Sequence, residues 1–163
     1  MKATKQSRFN RPLITAVLAR DPIRLRAAIE AGGDVNESDK DRRTPLHHAC
    51  IENDQTIVDL LLASKADVAP VDNDGWTPLH FAARNHHVEI VRTLLQSGSP
   101  VDVIDSHGNT PLFRAVFESR GRGDTIEVLL RAGADKNRKN NHDMSPADLA
   151  AIIANFDVKQ WLR

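Results

Sequence analysis

The chain of 163 residues alternates short apolar runs with polar punctuation, and the runs come in pairs. The first run of a pair opens on a hydroxyl residue followed by proline, as in Thr44-Pro45-Leu46 and Thr77-Pro78-Leu79, and gives way to polar residues within about two helical turns. The second run, such as Ile57-Val58-Leu60-Leu61-Leu62 or Ile90-Val91-Leu94-Leu95, spaces its apolar side chains as a helix with one buried face would. The hydroxyl before proline predicts where the first helix of each pair starts. Its oxygen caps an orphan backbone N–H, and the fixed φ of proline suits the first turn. Asp21-Pro22 predicts a similar start for the second helix of the first pair. Gly32, Gly98 and Gly133 stand where second helices should end in a left-handed cap. Lys65 occupies that place in another unit, so mild strain is expected there. Between pairs lie "DKDR", "DNDG" and "DSHG", rich in tight-turn residues. The turn glycine is lost at Arg42 and Asp143, which predicts two less regular tips.

The pattern is a repeat. "TPLHHAC" from Thr44, "TPLHFAA" from Thr77, "TPLFRAV" from Thr110 and a weaker "SPADLAA" from Ser145 start 33, 33 and 35 residues apart. One step back, "RPLITAV" from Arg11 keeps the proline and leucine. Units at about 11–43, 44–76, 77–109, 110–144 and a closing 145–163 follow a basic segment, 1–10. A period of this length signals stacked units that bury their apolar faces on one another. On these copies, and on second halves such as "VEIVRTLLQSGSPVDVID" and "TIEVLLRAGADKNRKN", the chain resembles the ankyrin-repeat proteins from about Arg11 onward. The resemblance implies an all-α solenoid of stacked helix-turn-helix units with β-turn or hairpin tips, a single domain over 11–163. It also implies protein recognition through a concave surface and projecting tips.

The histidines are therefore read as architectural. In the resemblance His47 and His80 lie at the start of inner helices, where an imidazole bonds neighbouring backbone and links repeats. Phe113 at the same place in the next unit speaks against a repeated catalytic histidine. His86 and His87 fall in a turn between helices. Metal binding by His47, His48, His80, His86 and His87 is the alternative, but no cysteine or carboxylate stands at a recognised ligand spacing. There is no GxSxG, HExxH or Walker loop, so neither an enzyme nor a cofactor or obligate small molecule is expected.

Composition narrows the partners. Lys plus Arg and Asp plus Glu both number 22, which calls for neither DNA nor a membrane. The lone Cys50 excludes an intramolecular disulfide and sits at an apolar helix position. No apolar run is long enough to cross a bilayer, and the basic "MKATKQSRFNR" lacks the apolar stretch of a secretory signal. A cytoplasmic setting is the expectation.

Two departures from the repeat stand out. In "FESRGRGDTIEVLL" two extra residues enlarge the turn between paired helices, and Arg120 and Arg122 alternate with Gly121 and Gly123. This predicts a mobile basic loop, either a contact for phosphate or an acidic protein surface, or a tolerated insertion. It is no phosphate-binding motif, lacking a preceding strand and a GK[ST]. The other departure is "SPADLAAIIANFDVKQWLR", which stops before a full second helix, as a terminal cap does. Phe156, Val158, Trp161 and Leu162 should fold back on the previous pair with Lys159 and Gln160 outward; Arg24 and Arg26 give the first unit a polar outer side.

Register selects the candidate partner-binding residues. Arg43, Trp76, Asn109 and Met144 precede the caps and should project toward the concave side. Ile51 and Glu52, Arg84 and Asn85, and Phe117 and Glu118 end successive inner helices. Trp76 has the character of an interface anchor, since an exposed tryptophan flanked by arginine is typical of one, the other reading being that it covers the adjoining repeat. "MSPADLAAIIANFDVKQWL" resembles the ending of bacterial ankyrin proteins that act as immunity partners by masking secreted antibacterial toxins. That likeness implies a toxin domain as partner. The contrasting class is a scaffold or regulatory adaptor for peptides or host proteins; nucleic-acid binding through Arg120, Arg122 and the N-terminal basic residues ranks last on the balanced charge.

Overall fold

Each proline of the repeated starts forms the first residue of a helix. The computed structural model describes residues 11–153 and 158–162, so the basic 1–10 segment and Phe156 lie outside the described residues. Helix pairs follow one another: α1 (Pro12–Leu18) with α2 (Pro22–Glu30), α3 (Pro45–Ile51) with α4 (Gln55–Ala63), α5 (Pro78–Arg84) with α6 (Val88–Gln96), and α7 (Pro111–Phe117) with α8 (Asp124–Arg131). A last inner helix, α9 (Pro146–Ile152), is followed by a 3-10 helix, Val158–Leu162, in place of a second α-helix. The described residues contain no strand, and the fold is the all-α stack of helix pairs that the repeat predicts.

Caps set the helix starts. The hydroxyls of Thr77, Thr110 and Ser145 accept the N–H of the third helical residue at 3.3, 3.2 and 3.1 Å. α1 has Arg11 at that place and no side-chain cap of its own. Glu37, from the tip that follows, accepts the N–H of Ile14 at 2.8 Å and satisfies the same orphan donor from 23 residues away. Asp21 and Asp54 cap α2 and α4. Past the ends of α2, α6 and α8, glycines take φ of 85 to 91°, and Lys65 takes a φ of 63° past α4.

The tips are built around one side chain. An oxygen of Asp39, Asp72, Asp105 or Asn140 accepts the backbone N–H groups two and four residues further on, at 2.9 to 3.1 Å. The fourth residue of each tip is left-handed: Gly75 and Gly108 at φ 77 and 78°, Arg42 and Asp143 at 61 and 57°. The expectation of less regular tips at Arg42 and Asp143 does not hold, because the carboxylate or amide holds the backbone in the same turn without glycine. Neighbouring tips are joined by backbone bonds from Asn73 to Asp41, Ser106 to Asp74 and Asn141 to His107, 2.8 to 3.0 Å long.

Inner helices pack on inner helices and outer on outer along the whole stack. Leu13, Leu46, Leu79 and Leu112 contribute one fully buried side chain per inner helix, met by Leu61, Leu94 and Leu129 from the outer row. Helices of seven to nine residues are marginal alone, so stacking holds them; each buried leucine contributes about 2 kcal/mol. At the far end Val158 and Leu162 are buried while Lys159 and Gln160 are exposed, and Arg24 and Arg26 are exposed at the other. Trp161 lies over Gly123 so closely that a β-carbon there would sit 2.2 Å from the indole. The enlarged turn, residues 118–123, and the closing 3-10 helix are thus packed on each other.

Candidate protein-binding face

The repeated histidines hold the stack. The Nδ1 atoms of His47 and His80 accept the backbone N–H groups of Thr44 and Thr77 at 3.0 and 3.1 Å, which leaves the proton on Nε2. Nε2–H then donates to the carbonyl of Trp76 (2.9 Å) and of Asn109 (3.1 Å), each in the tip that leads into the next pair. Burial pushes the pKa of His80 down to about 4 and that of His47 below its ordinary value, so both rings are neutral at pH 7. With both nitrogens engaged, neither ring is offered to a substrate or metal. The described residues contain no group of three His, Cys, Asp or Glu able to hold a metal ion. His87 donates from Nδ1 to the carbonyl of Cys50 at 2.9 Å, and Cys50 itself is fully buried, its thiol pushed far up by that burial.

The side chains beside these links form an aromatic and cationic cluster. Trp76 packs on Phe81 with ring centroids 4.9 Å apart, and the guanidinium of Arg114 lies 4.5 Å from the Trp76 centroid. Arg84 approaches the same indole at 5.7 Å, and Arg43 covers Phe81 at 5.0 Å. Buried carboxylates fix two of these arginines. Asp72 accepts from Nε of Arg43 at 3.1 Å, and Asp105 accepts from Nε and Nη2 of Arg114. Burial opposes charge on Asp105, but Arg114 and the N–H groups of Asn109 and His107 outweigh it and hold the carboxyl below the usual range.

Three hollows open on this side of the stack, two between tips and inner helices and one at the inner-helix ends. One, of ≈ 330 Å³, has Trp76, Phe81, Arg43, Arg84 and Arg114 among its walls. The next, of ≈ 340 Å³, is bounded by Phe113, Phe117, Met144 and Leu149 with Arg114 at its edge. A third, of ≈ 360 Å³, is polar: Arg84, Asn85, Glu118, Arg120 and Arg122 line it. Along the last turn of the inner helices, Leu18, Phe117 and Ile152 are 56%, 58% and 64% exposed.

Residues 2–72 and 53–140 match a family model described as ankyrin repeats (3 copies). The chain belongs to the ankyrin-repeat family. No curated protein matches it. Ankyrin repeats are protein–protein interaction modules, and the family is generally non-catalytic. Among the described residues, no helix of this ankyrin stack is long and apolar enough to cross a membrane.

The candidate residues fall on the inner face of the ankyrin stack with one exception. Arg43, Trp76 and Met144 are half-buried at its tip side; Ile51, Glu52, Asn85 and Glu118 are half-buried, and Arg84 and Phe117 exposed, at the helix ends. Asn109 is buried instead of projecting, because its N–H bonds Asp105 and its Oδ1 accepts from Nδ2 of Asn140 at 2.7 Å. Trp76 spends part of its surface within the chain, so its removal carries a stability cost that an exposed indole would not. Arg120 and Arg122 are exposed on a turn anchored by Trp161 at Gly123 and by an Arg122 N–H to Ser119 carbonyl bond of 2.8 Å, which is more constrained than a free loop. Sequence reasoning weighed His48, which bonds the Asp39 carboxylate at 2.9 Å, only as a metal ligand, and missed Phe81 and Arg114. The signal was present: each lies one helical turn before Ile51, Arg84 or Phe117, on the same face.

Proposed function

We propose that residues 11–163 form one non-catalytic binding domain that grips another polypeptide with its inner face and tips. The observation that carries this reading is a stack that leaves Leu18, Phe117 and Ile152 more than half exposed at the ends of its inner helices and lines one of its hollows with an indole clad in guanidinium groups. Exposed apolar surface of this kind is costly to leave in water, and aromatic and arginine side chains dominate the energetics of protein interfaces.

In its most specific form the module is a cytoplasmic immunity-type inhibitor that masks a bacterial toxin domain. The likeness of the closing segment, 144–162, to such proteins supports it, as does a face whose side chains are already fixed by Asp72 and Asp105, since preorganised groups bind tightly. Co-expression with the toxin candidates encoded beside it tests the role. Rescue together with a tight one-to-one complex is expected; failure to rescue from every candidate would reject the immunity role and leave the general one. For the general role, Phe117→Ala should cost at least about 2 kcal/mol of affinity by calorimetry while the melting temperature stays within about 1 °C. Unchanged affinity to a protein captured by the chain would place recognition elsewhere.

A further inference from the structure

Three exposed or half-exposed arginines converge on the polar hollow at the helix ends, and one carboxylate answers them. Glu118 lies 3.6 Å from Nε of Arg84. Among the described residues the Arg122 side chain bonds only the carbonyl oxygens of Ser119 and Glu118, at 3.3 and 3.5 Å. Arg120 has no hydrogen bond or ion pair among the described residues. Elsewhere on the face the arginines are matched: Arg20 by Glu52, Arg43 by Asp72, Arg114 by Asp105. Among the described arginines on the inner helices and the turns that follow them, those without a carboxylate partner, Arg120 and Arg122, therefore lie at this end of the face, although the chain as a whole is neutral.

The apolar hollow adjoins it. Phe117 lines one and Glu118 the other, so the two sites are separated by a single peptide unit on this chain. The turn that carries Arg120 and Arg122 is held by the Trp161–Gly123 contact, which lowers the entropy lost when a ligand fixes the arginines.

Resting on the reading of this face as a polypeptide-binding surface, we infer that its partner presents an acidic segment with one large apolar side chain a few residues away. The carboxylates lie against Arg84, Arg120 and Arg122, and the apolar group enters the hollow between Phe117 and Met144. Guanidinium forks match carboxylates geometrically, and an extended segment advancing about 3.3 Å per residue spans the two hollows within a few residues. Glu118 is an internal competitor: it occupies Arg84 in the free protein and is displaced by the incoming acid.

A random peptide library displayed on phage and selected on the full chain tests this, with the best peptide measured by fluorescence anisotropy at low and physiological salt. Selected peptides should carry Asp or Glu within a few residues of Trp, Phe or Leu, and their affinity should fall with salt. The triple variant Arg84→Ala, Arg120→Ala, Arg122→Ala should weaken them about 10-fold and flatten the salt dependence. Glu118→Gln should tighten them about 3-fold, an effect that a purely apolar groove would not give. Neutral or basic peptides that are lost with Phe117→Ala, or acidic ones indifferent to the triple variant, would overturn the inference and leave the binding face intact. Peptides insensitive to both Phe117→Ala and the triple variant, or no selection above background, would overturn the face as well. Displacement of the peptide by a single-stranded oligonucleotide at lower concentration would transfer the site to nucleic acid.

Discussion

The junctions on either side of α5 and the junction between α7 and α9 join the same kind of unit with different groups. At the first two, a buried imidazole ties a helix start to the carbonyl of the tip ahead. At the last, Phe113 fills the imidazole's place, Asp148 caps its own helix by accepting from Ser145 at 2.7 and 3.0 Å, and the tie passes to Asn140 and Asn109. The middle of the stack is thus held by groups shielded from solvent. The last junction exposes the apolar hollow beside Phe117 and the basic turn. Regularity serves cohesion in this protein, and departures from it add an apolar hollow and a basic turn to the aromatic and cationic surface of the middle.

The contrast is broken most severely in the middle. Leu79→Ala should cost about 3 to 5 kcal/mol in urea unfolding, against about 2 for Leu149→Ala, because Leu79 is fully enclosed and Leu149 lies in the last unit and is slightly exposed. Acid acts next. His80 titrates near 6.5 when unfolded and at about 4 when folded, so the neutral ring's contribution is complete above pH 6.5 and is lost as pH falls through about 4. That loss is on the order of 3 kcal/mol, and urea midpoints measured between pH 7.5 and 4 should follow it. His80→Phe copies the Phe113 solution: it should cost about 1 to 2 kcal/mol at neutral pH and flatten the acid limb. Persistence of the full acid limb in that variant would assign it to other groups.

At the far end, Gly123→Ala drives a β-carbon into Trp161 and should cost about 1 to 2 kcal/mol. A red-shifted emission of Trp161 in a Trp76→Phe background would report the displaced indole. The smallest effect belongs to the first unit. Glu37→Gln should remove about 0.5 to 1 kcal/mol, read as faster amide exchange at Ile14 with the middle of the stack unchanged, since each unit contacts only its neighbours.

Much of this architecture is legible in the chain because its determinants are local. A hydroxyl before proline, a leucine two residues on and an aspartate at the tip each act within a few residues. What escapes reading mostly depends on a partner distant along the chain. The cap of α1 comes from Glu37, and nothing near Arg11 announces it. Asn109 turns inward, where its Oδ1 accepts from Nδ2 of Asn140, one unit later. Arg42 and Asp143 suggest less regular tips until the oxygens of Asp39 and Asn140, within the same tips, are seen holding the backbone. The inner-face trio His48, Phe81 and Arg114 was within reach, since helical spacing from Ile51, Arg84 and Phe117 leads directly to it.

Each tip takes its shape from its first and fourth residues, and at Asp41, Asp74 and His107 the third joins the following tip through its backbone carbonyl. Asp74, His107 and His142 occupy that third position and are exposed. Evolution, or a combinatorial library, can rewrite those three letters freely, retuning whom the protein greets while every helix stays where it was.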